Sequence, residues 1–453
     1  MRKDEMKASL QTCWAGAVTG LLLFAASSAL AFEDAEVRAI IRHVPEPERV
    51  GDAPAVWMAR EKTLRIDGGG GATEKEHLFA RILDPDRARE SFSPYSVDYW
   101  SENCSVRVLA ARIWKEDLTF VALPPEAVRD DLSPLGEGHG VFEMLRRVTI
   151  DFPSVEPGDV LEIRLAKARV PRPGETNVQW FLDTMGDELP VIEQRLEIQT
   201  PRALRGVAAF SGPAPYLDSR IVDSFDGRGY LSGHLLGLPG PVEGGVFSRR
   251  ATVRSDADSV TTIAYSNVGW DYLSKYLGRQ WYLLVQEISP EMTTAAGKLF
   301  SQKTDPRWRA EALGKWARDD FETVPVPDIL RFARPFDPAT VFANGEGGSM
   351  DKALFLTAAL RLAGVGASPV FVRSQTGSWV EEVASLDQFD RVVVKADVDP
   401  PLWLDPSGKD PLPPGKGLVV TIVDPRLTTF EQDDDFQYEF GLIDFPGTGP
   451  TER

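Results

Sequence analysis

The chain has 453 residues, 43% of them hydrophobic and 26% charged, with 50 Lys and Arg against 68 Asp and Glu for a net charge of −18. That apolar content excludes a wholly disordered chain, and the acidic balance, with no long Lys/Arg run, excludes an electrostatic grip on nucleic acid or anionic lipid. The 38 Gly and 34 Pro follow no Gly-X-Y period, so they read as turns and not as collagen.

Residues 1–31 read as a secretory signal peptide. Arg2, Lys3 and Lys7 precede an apolar stretch from Trp14 to Ala26, and Ala29-Leu30-Ala31 gives a small-x-small cleavage pattern. The stretch is shorter than the roughly 20 apolar residues of a spanning helix. Cleavage after Ala31, export to the periplasm or the outside, and no stable membrane span afterwards are therefore expected. Past the leader only Cys104 remains, so no internal disulfide is expected, and it reads as a small apolar residue beside a strand.

From about 55 to 200 the pattern is β-rich. Glu61–Asp67 and His77–Leu83 flank Gly68–Gly71, a hairpin connection; no Gly-Lys-Ser/Thr follows that would make the glycines a phosphate cradle. Further strands are expected at Ser105–Trp114, Arg147–Phe152, Val160–Lys167, Asn177–Leu182 and Val191–Gln199. Val160, Glu162 and Arg164 alternate with Leu161, Ile163 and Leu165, the period of a half-buried strand. Such strands with Pro/Gly turns between them predict an antiparallel β-sandwich over 32–200.

Residues 201–268 read as a linker with an extra β segment. Helices follow at Tyr272–Gln286, Pro290–Gln302 and Arg307–Phe321. The helix containing Phe355, Leu356, Ala359, Leu360 and Ala363 is apolar almost all round and stops at Gly364, so it is central and buried. Strands are expected at Pro369–Arg373, Phe389–Ala396 and Leu402–Asp405. The tail, 421–453, is acidic and reads as peripheral; Asp433-Asp434-Asp435 fits no calcium loop and reads as a solvated turn.

The segment Asn344-Gly-Glu-Gly-Gly-Ser349-Met-Asp351-Lys352, running into the buried helix and Gly364-Val-Gly-Ala, resembles the core of bacterial transglutaminase-like proteins. Gln388-Phe389-Asp390-Arg391-Val392 resembles the strand that carries that family's His, and Trp403-Leu404-Asp405-Pro406 its Trp-x-Asp-Pro. Val155-Glu-Pro-Gly158-Asp-Val-Leu-Glu-Ile163 resembles the uncharacterised sandwich domain that often precedes such a core in exported bacterial proteins. The resemblance implies an α+β fold: an N-terminal antiparallel β-sandwich followed by a transglutaminase-like (papain-like) core over 269–420.

It also implies where the chemistry would sit. A Cys at the helix start would attack, a His would shuttle the proton and an Asp would orient the His. Here those positions hold Ser349, Arg391 and Asp405. A guanidinium stays protonated and cannot act as a base. All four histidines, His43, His77, His139 and His234, precede the core, and from 235 onward there is neither Cys nor His. Ser349 reads as a helix N-cap and Arg391 with Asp405 as a salt bridge. No catalytic residue is expected; the alternative is a hydrolase or acyltransferase dyad of Ser349 with Lys352, spaced a helical turn apart.

Trp379, Phe389 and Trp403 are the candidates for lining the retained groove. The expected function is capture of a peptide, a protein or a cell-envelope polymer without turnover, or a scaffold in which the sandwich does the binding. No cofactor is expected, and no metal site, because the core lacks His and Cys and no carboxylate cluster shows ligand spacing.

Overall fold

The structure is a computed structural model that describes residues 34–45, 50, 52–67, 69–92, 94–172, 180–185, 189–201, 207–211, 218–221, 236–237, 246–255, 261–331, 333–373, 379, 381, 383–408, 410–422, 424 and 441–448. The expected leader, His234 and Asp433-Asp434-Asp435 lie outside them. Residues 1–44 and 45–453 form two compact units, and the first holds one described helix, α1 (Asp34–Arg42). Among the described residues no helix is long and apolar enough to cross a membrane.

In the second unit, β1 (Ala55–Ile66) and β2 (Ala72–Ile82) pair antiparallel across the expected glycine turn. Asp67 closes it, its Oδ1 accepting from the amides of Gly69 and Gly71, both at 2.8 Å. Then come α2 (Pro85–Phe92), β3 (Tyr95–Trp100), β4 (Cys104–Trp114), β5 (Phe120–Ala122), β6 (Val128–Leu132), β7 (Leu145–Ile150) and β8 (Val160–Arg169). The chain continues through β9 (Trp180–Met185), β10 (Val191–Pro201), β11 (Val207–Ser211), β12 (Asp218–Ile221), β13 (Leu236–Gly237), β14 (Val246–Ser255) and β15 (Thr261–Ser266).

The large sheet runs β12-β14-β10-β1-β2-β8-β4-β5, antiparallel except for the parallel pair β1–β10. The three-stranded sheet β3-β7-β6 covers one of its faces, with Trp57, Leu78, Ile150, Phe152, Leu161 and Ile163 in the shared core. The stretch read as a linker with an extra β segment adds β12 and β14 to the large sheet. Its β11, β13 and β15 join β9 in a second sheet of order β13-β11-β15-β9.

The core is built from α3 (Trp270–Leu284), α4 (Pro290–Phe300), α5 (Pro306–Asp319), β16 (Glu322–Thr323), α6 (Pro338–Asn344), β17 (Glu346–Gly347) and α7 (Ser349–Leu362). Strands β18 (Ala367–Val372), β19 (Arg391–Ala396), β20 (Leu402–Leu404), β21 (Gly415–Val419) and β22 (Leu442–Phe445) form an antiparallel sheet of order β20-β19-β18-β21-β22. The tail is thus not wholly peripheral: β22 closes one edge of this sheet, and Phe445 is buried there.

Helix α7 is buried on every side from Met350 to Leu360, between β18 and β19 on one flank and α5 and α6 on the other. Ala- and Leu-rich sequence favours the helix. Gly364, at φ +75°, ends it: the amide of Val365 bonds the carbonyl of Leu360 and that of Gly364 the carbonyl of Arg361, the double bond of a left-handed cap.

Two charges at the start of this apolar helix are fully buried. Asp351 accepts from Arg331 Nη1 on both oxygens at 2.7 Å, and from the amides of Phe336 at 2.7 Å and Gly348 at 2.8 Å. The Arg331 guanidinium lies 3.8 Å from the ring centre of Phe336, with Trp100 and Phe142 of the sandwich also within cation–π range. One ion pair therefore anchors the helix start, the 331–336 segment and the sandwich together.

The β8 pattern holds only on one face. Leu161, Ile163 and Leu165 enter the core as expected, but the polar face is also covered: Glu162 is fully buried. It accepts from Trp114 Nε1 at 2.7 Å and bonds His77 Nε2 at 3.0 Å, and pairs with Arg164 at 2.9 Å and Arg112 at 3.3 Å. Burial opposes its ionisation, but the bonds from His77 and Trp114 and the charge of Arg164 prevail and hold its pKa down at about 2, against an ordinary 4.5. Burial pushes His77 below its ordinary 6.5, with the bond to Glu162 opposing.

Both groups take up protons more readily in the unfolded chain, so their stabilisation is lost on acidification. The His77 contribution is complete above about pH 6.5 and falls below it; that of Glu162 is complete above about pH 4.5 and fades toward about pH 2. The urea midpoint should fall steadily from about pH 7 to about pH 4, and a flat profile would contradict the assignment. Arg331→Met, which strands a buried carboxylate, should cost about 3–5 kcal/mol in denaturant unfolding; a loss below about 1 kcal/mol would show that the pair is not the anchor.

Candidate functional site

Three segments converge at the start of α7. Gly348, in extended conformation at φ −70° and ψ 178°, is the N-cap, and Asp351 reaches back to its amide. Ser349 is therefore the first helical residue and not the cap expected from sequence. Its hydroxyl bonds across to β19: Oγ accepts from the amide of Val392 at 2.8 Å and lies 3.4 Å from that residue's carbonyl.

The next residue back on β19, Arg391, donates from Nη1 to Asp405 Oδ2 at 2.9 Å. Asp405 follows β20, and its other oxygen closes a turn by accepting from Ser407 N and Oγ, both at 2.8 Å, and from Gly408 N at 3.0 Å. Ser407 Oγ lies 3.4 Å from Ser349 Oγ. Ser349, Ser407, Asp405 and Arg391 thus form one bonded series. The carboxylate is only 8% exposed and faces a permanent cation, where the family resemblance would place an imidazole.

Lys352, the alternative dyad partner, points its ammonium toward β16. Its fully buried ammonium donates to the carbonyl of Phe321 and to Thr323 Oγ1, both at 2.8 Å, while Ser349 bonds Val392 and Ser407. These bonds brace β16 against the helix. Of the histidines, His77 is committed to Glu162, His43 belongs to the first unit, and His234 is outside the described residues. His139 does reach the core from the sandwich, yet its Nδ1 bonds Glu346 Oε2 at 2.6 Å, three residues short of Ser349.

Ser349, Arg391 and Ser407 open into a cleft of about 490 Å³. One wall is the extended run Thr323-Val324-Pro325-Val326-Pro327, and the opposite wall carries Leu386, Asp387, Phe389 and Asp390. Phe389 lines it, as expected from sequence. Trp379 and Trp403 are not among the lining residues. Trp379 stacks on Trp270 at 5.6 Å and meets Phe389 edge-on from behind. Trp403 alternates with Leu404 along β20 and so turns to the far face of the sheet, packing on Phe445 at 5.2 Å.

Sequence reasoning missed Ser407 and the Val-Pro wall. An Asp followed two residues later by Ser is a turn signal that could have flagged the first; the second has none. The cleft offers hydroxyls, one guanidinium, two carboxylates and an apolar floor, with no free thiol or imidazole among the described lining residues. That set can hold a chain through hydrogen bonds and apolar contact.

Residues 69–216 match DUF3857, described as a domain of unknown function with a solved structure. No curated protein matches the sequence. A structure described as "a putative protease from Parabacteroides distasonis" shares the fold at a TM-score of 0.65 and 14% identity, over 82% of this chain and 70% of that one. Two others align loosely. The periplasmic domain of TgpA from Pseudomonas aeruginosa has a TM-score of 0.20 at 18% identity, over 66% of this chain and 87% of that one. An M1 zinc metallopeptidase from Deinococcus radiodurans has a TM-score of 0.23 at 12% identity, over 47% and 43%. Neither of these two carries an argument about this chain. The fold is mixed α+β, a β-sandwich followed by an α+β core, and the DUF3857 match runs from β2 to β11.

Proposed function

We propose that this is an exported protein whose transglutaminase-like core has kept its cleft and lost its chemistry, and that it captures an extended peptide, a protein segment or a cell-envelope polymer there without turnover. The observation that carries this reading is the set at the helix start: Ser349 bonded to a backbone amide, Asp405 paired to Arg391, and the one sandwich histidine that approaches bonded instead to Glu346. A serine hydroxyl needs an adjacent base to attack, and among the described residues the hydroxyl of Ser349 bonds only Val392 and Ser407. Export rests on the leader-like residues 1–31.

Glutamine deamidation, amine incorporation and peptide hydrolysis should all stay at background in the purified protein, and Ser349→Ala should change none of them. Turnover that disappears in Ser349→Ala would overturn the proposal. The lost chemistry should also be partly restorable. In the double variant Ser349→Cys/Arg391→His, the thiol sits at a helix N-terminus beside an imidazole, which lowers its pKa. It should be alkylated by iodoacetamide near neutral pH at least about tenfold faster than in Ser349→Cys alone. Equal rates would mean that position 391 does not face the helix start as the family's histidine does.

A further inference from the structure

The connection between β6 and β7 delivers a sandwich side chain to the core. His139 immediately precedes a short turn, Gly140–Phe142, whose Phe142 is buried against Trp100 and Phe336, so packing plants the imidazole where it stands. Its partner Glu346 is the register partner of Glu322 in the parallel pair β16–β17. Two carboxylates therefore sit side by side on neighbouring strands, an arrangement that like-charge repulsion disfavours. Among the described residues neither is paired with a lysine or arginine; His139 is the one ionic partner, and it is bonded to Glu346 alone. One donor atom from each of His139, Glu322 and Glu346 lies within 4.8 Å of the other two.

We infer that these three side chains bind one divalent first-row transition-metal ion of the zinc type. An imidazole nitrogen with two carboxylate oxygens is a donor set that suits such an ion, and three protein donors leave a position for water. Metal–donor bonds of about 2.0–2.2 Å set the donors roughly 3.4 Å apart. The 2.6 Å His139–Glu346 contact opens slightly and Glu322 swings inward, which its exposed position permits. The ion takes the place of the proton between Nδ1 and Oε2, and that proton leaves to solvent. The bound divalent cation offsets the charge of the two facing carboxylates.

The site is separate from the cleft, since none of the three residues lines it. It does sit directly behind the cleft wall. Thr323, next to Glu322, is part of that wall, and Ser349 lies three residues beyond Glu346. The metal would pin the sandwich connection to the strand pair from which the wall and the helix start both emerge.

The test uses tag-free protein stripped with a chelator and titrated with Zn²⁺ against a chromogenic competitor. The wild type should take up one equivalent and gain thermal stability from it. His139→Ala, Glu346→Gln and Glu322→Gln should each weaken uptake by at least about tenfold, and His43→Ala, in the other unit, should not. Glu322 is exposed, so Glu322→Gln keeps the test decisive even if a His139 or Glu346 variant folds poorly. Failure of the wild type to bind Zn²⁺ at micromolar concentration, or equal uptake by Glu322→Gln and the wild type, would overturn the inference.

Discussion

The buried pair of Arg331 and Asp351 is the constraint on which the site depends. Asp351 holds the amide of the helix cap and the amide of Phe336, and Arg331 stacks among aromatic rings contributed by both the sandwich and the core. A bare carboxylate in that place would be costly to bury, and so would a bare guanidinium. Each is tolerable because the other is there, with the carboxylate also accepting from two backbone amides and the guanidinium lying against aromatic rings. The result is that the first turn of α7 is fixed relative to two separate parts of the fold before any ligand arrives.

What is built on that fixed turn is a connected set of polar contacts. The hydroxyl of Ser349 ties helix to strand, the carboxylate of Asp405 ties a turn to β19, and Lys352 ties β16 to the helix. Each of these three polar groups links two elements of the core. The same bonds keep the cleft walls in register before any occupant arrives.

Much of this was legible in the sequence because it is local. The apolar helix with its terminal glycine, the glycine turn after β1, and the alternation along β8 each declare themselves within a dozen residues. The contributions of β12 and β14 to the large sheet, and of β22 to the core sheet, come from segments whose partners are remote, so no window of sequence contains the signal. Burial of Glu162 was misread for the same reason: alternation reports one buried face and is silent about what covers the other. The juxtaposition of His139 with Glu322 and Glu346 joins positions about two hundred residues apart, and spacing rules for metal ligands work only at short range.

The parallel pairing of β1 with β10 fixes the order in which the molecule can be assembled. Strand β1 ends at residue 66, yet one of its two neighbours begins at 191, and the sheet beyond that neighbour is finished by β14, which ends at 255. During synthesis the first strand must wait for more than a hundred further residues before its second edge is covered. Until then it presents an open ladder of amides and carbonyls, and a pairing of such long separation is slow to nucleate. The sheet at the heart of the sandwich is thus one of the last parts of that region able to close.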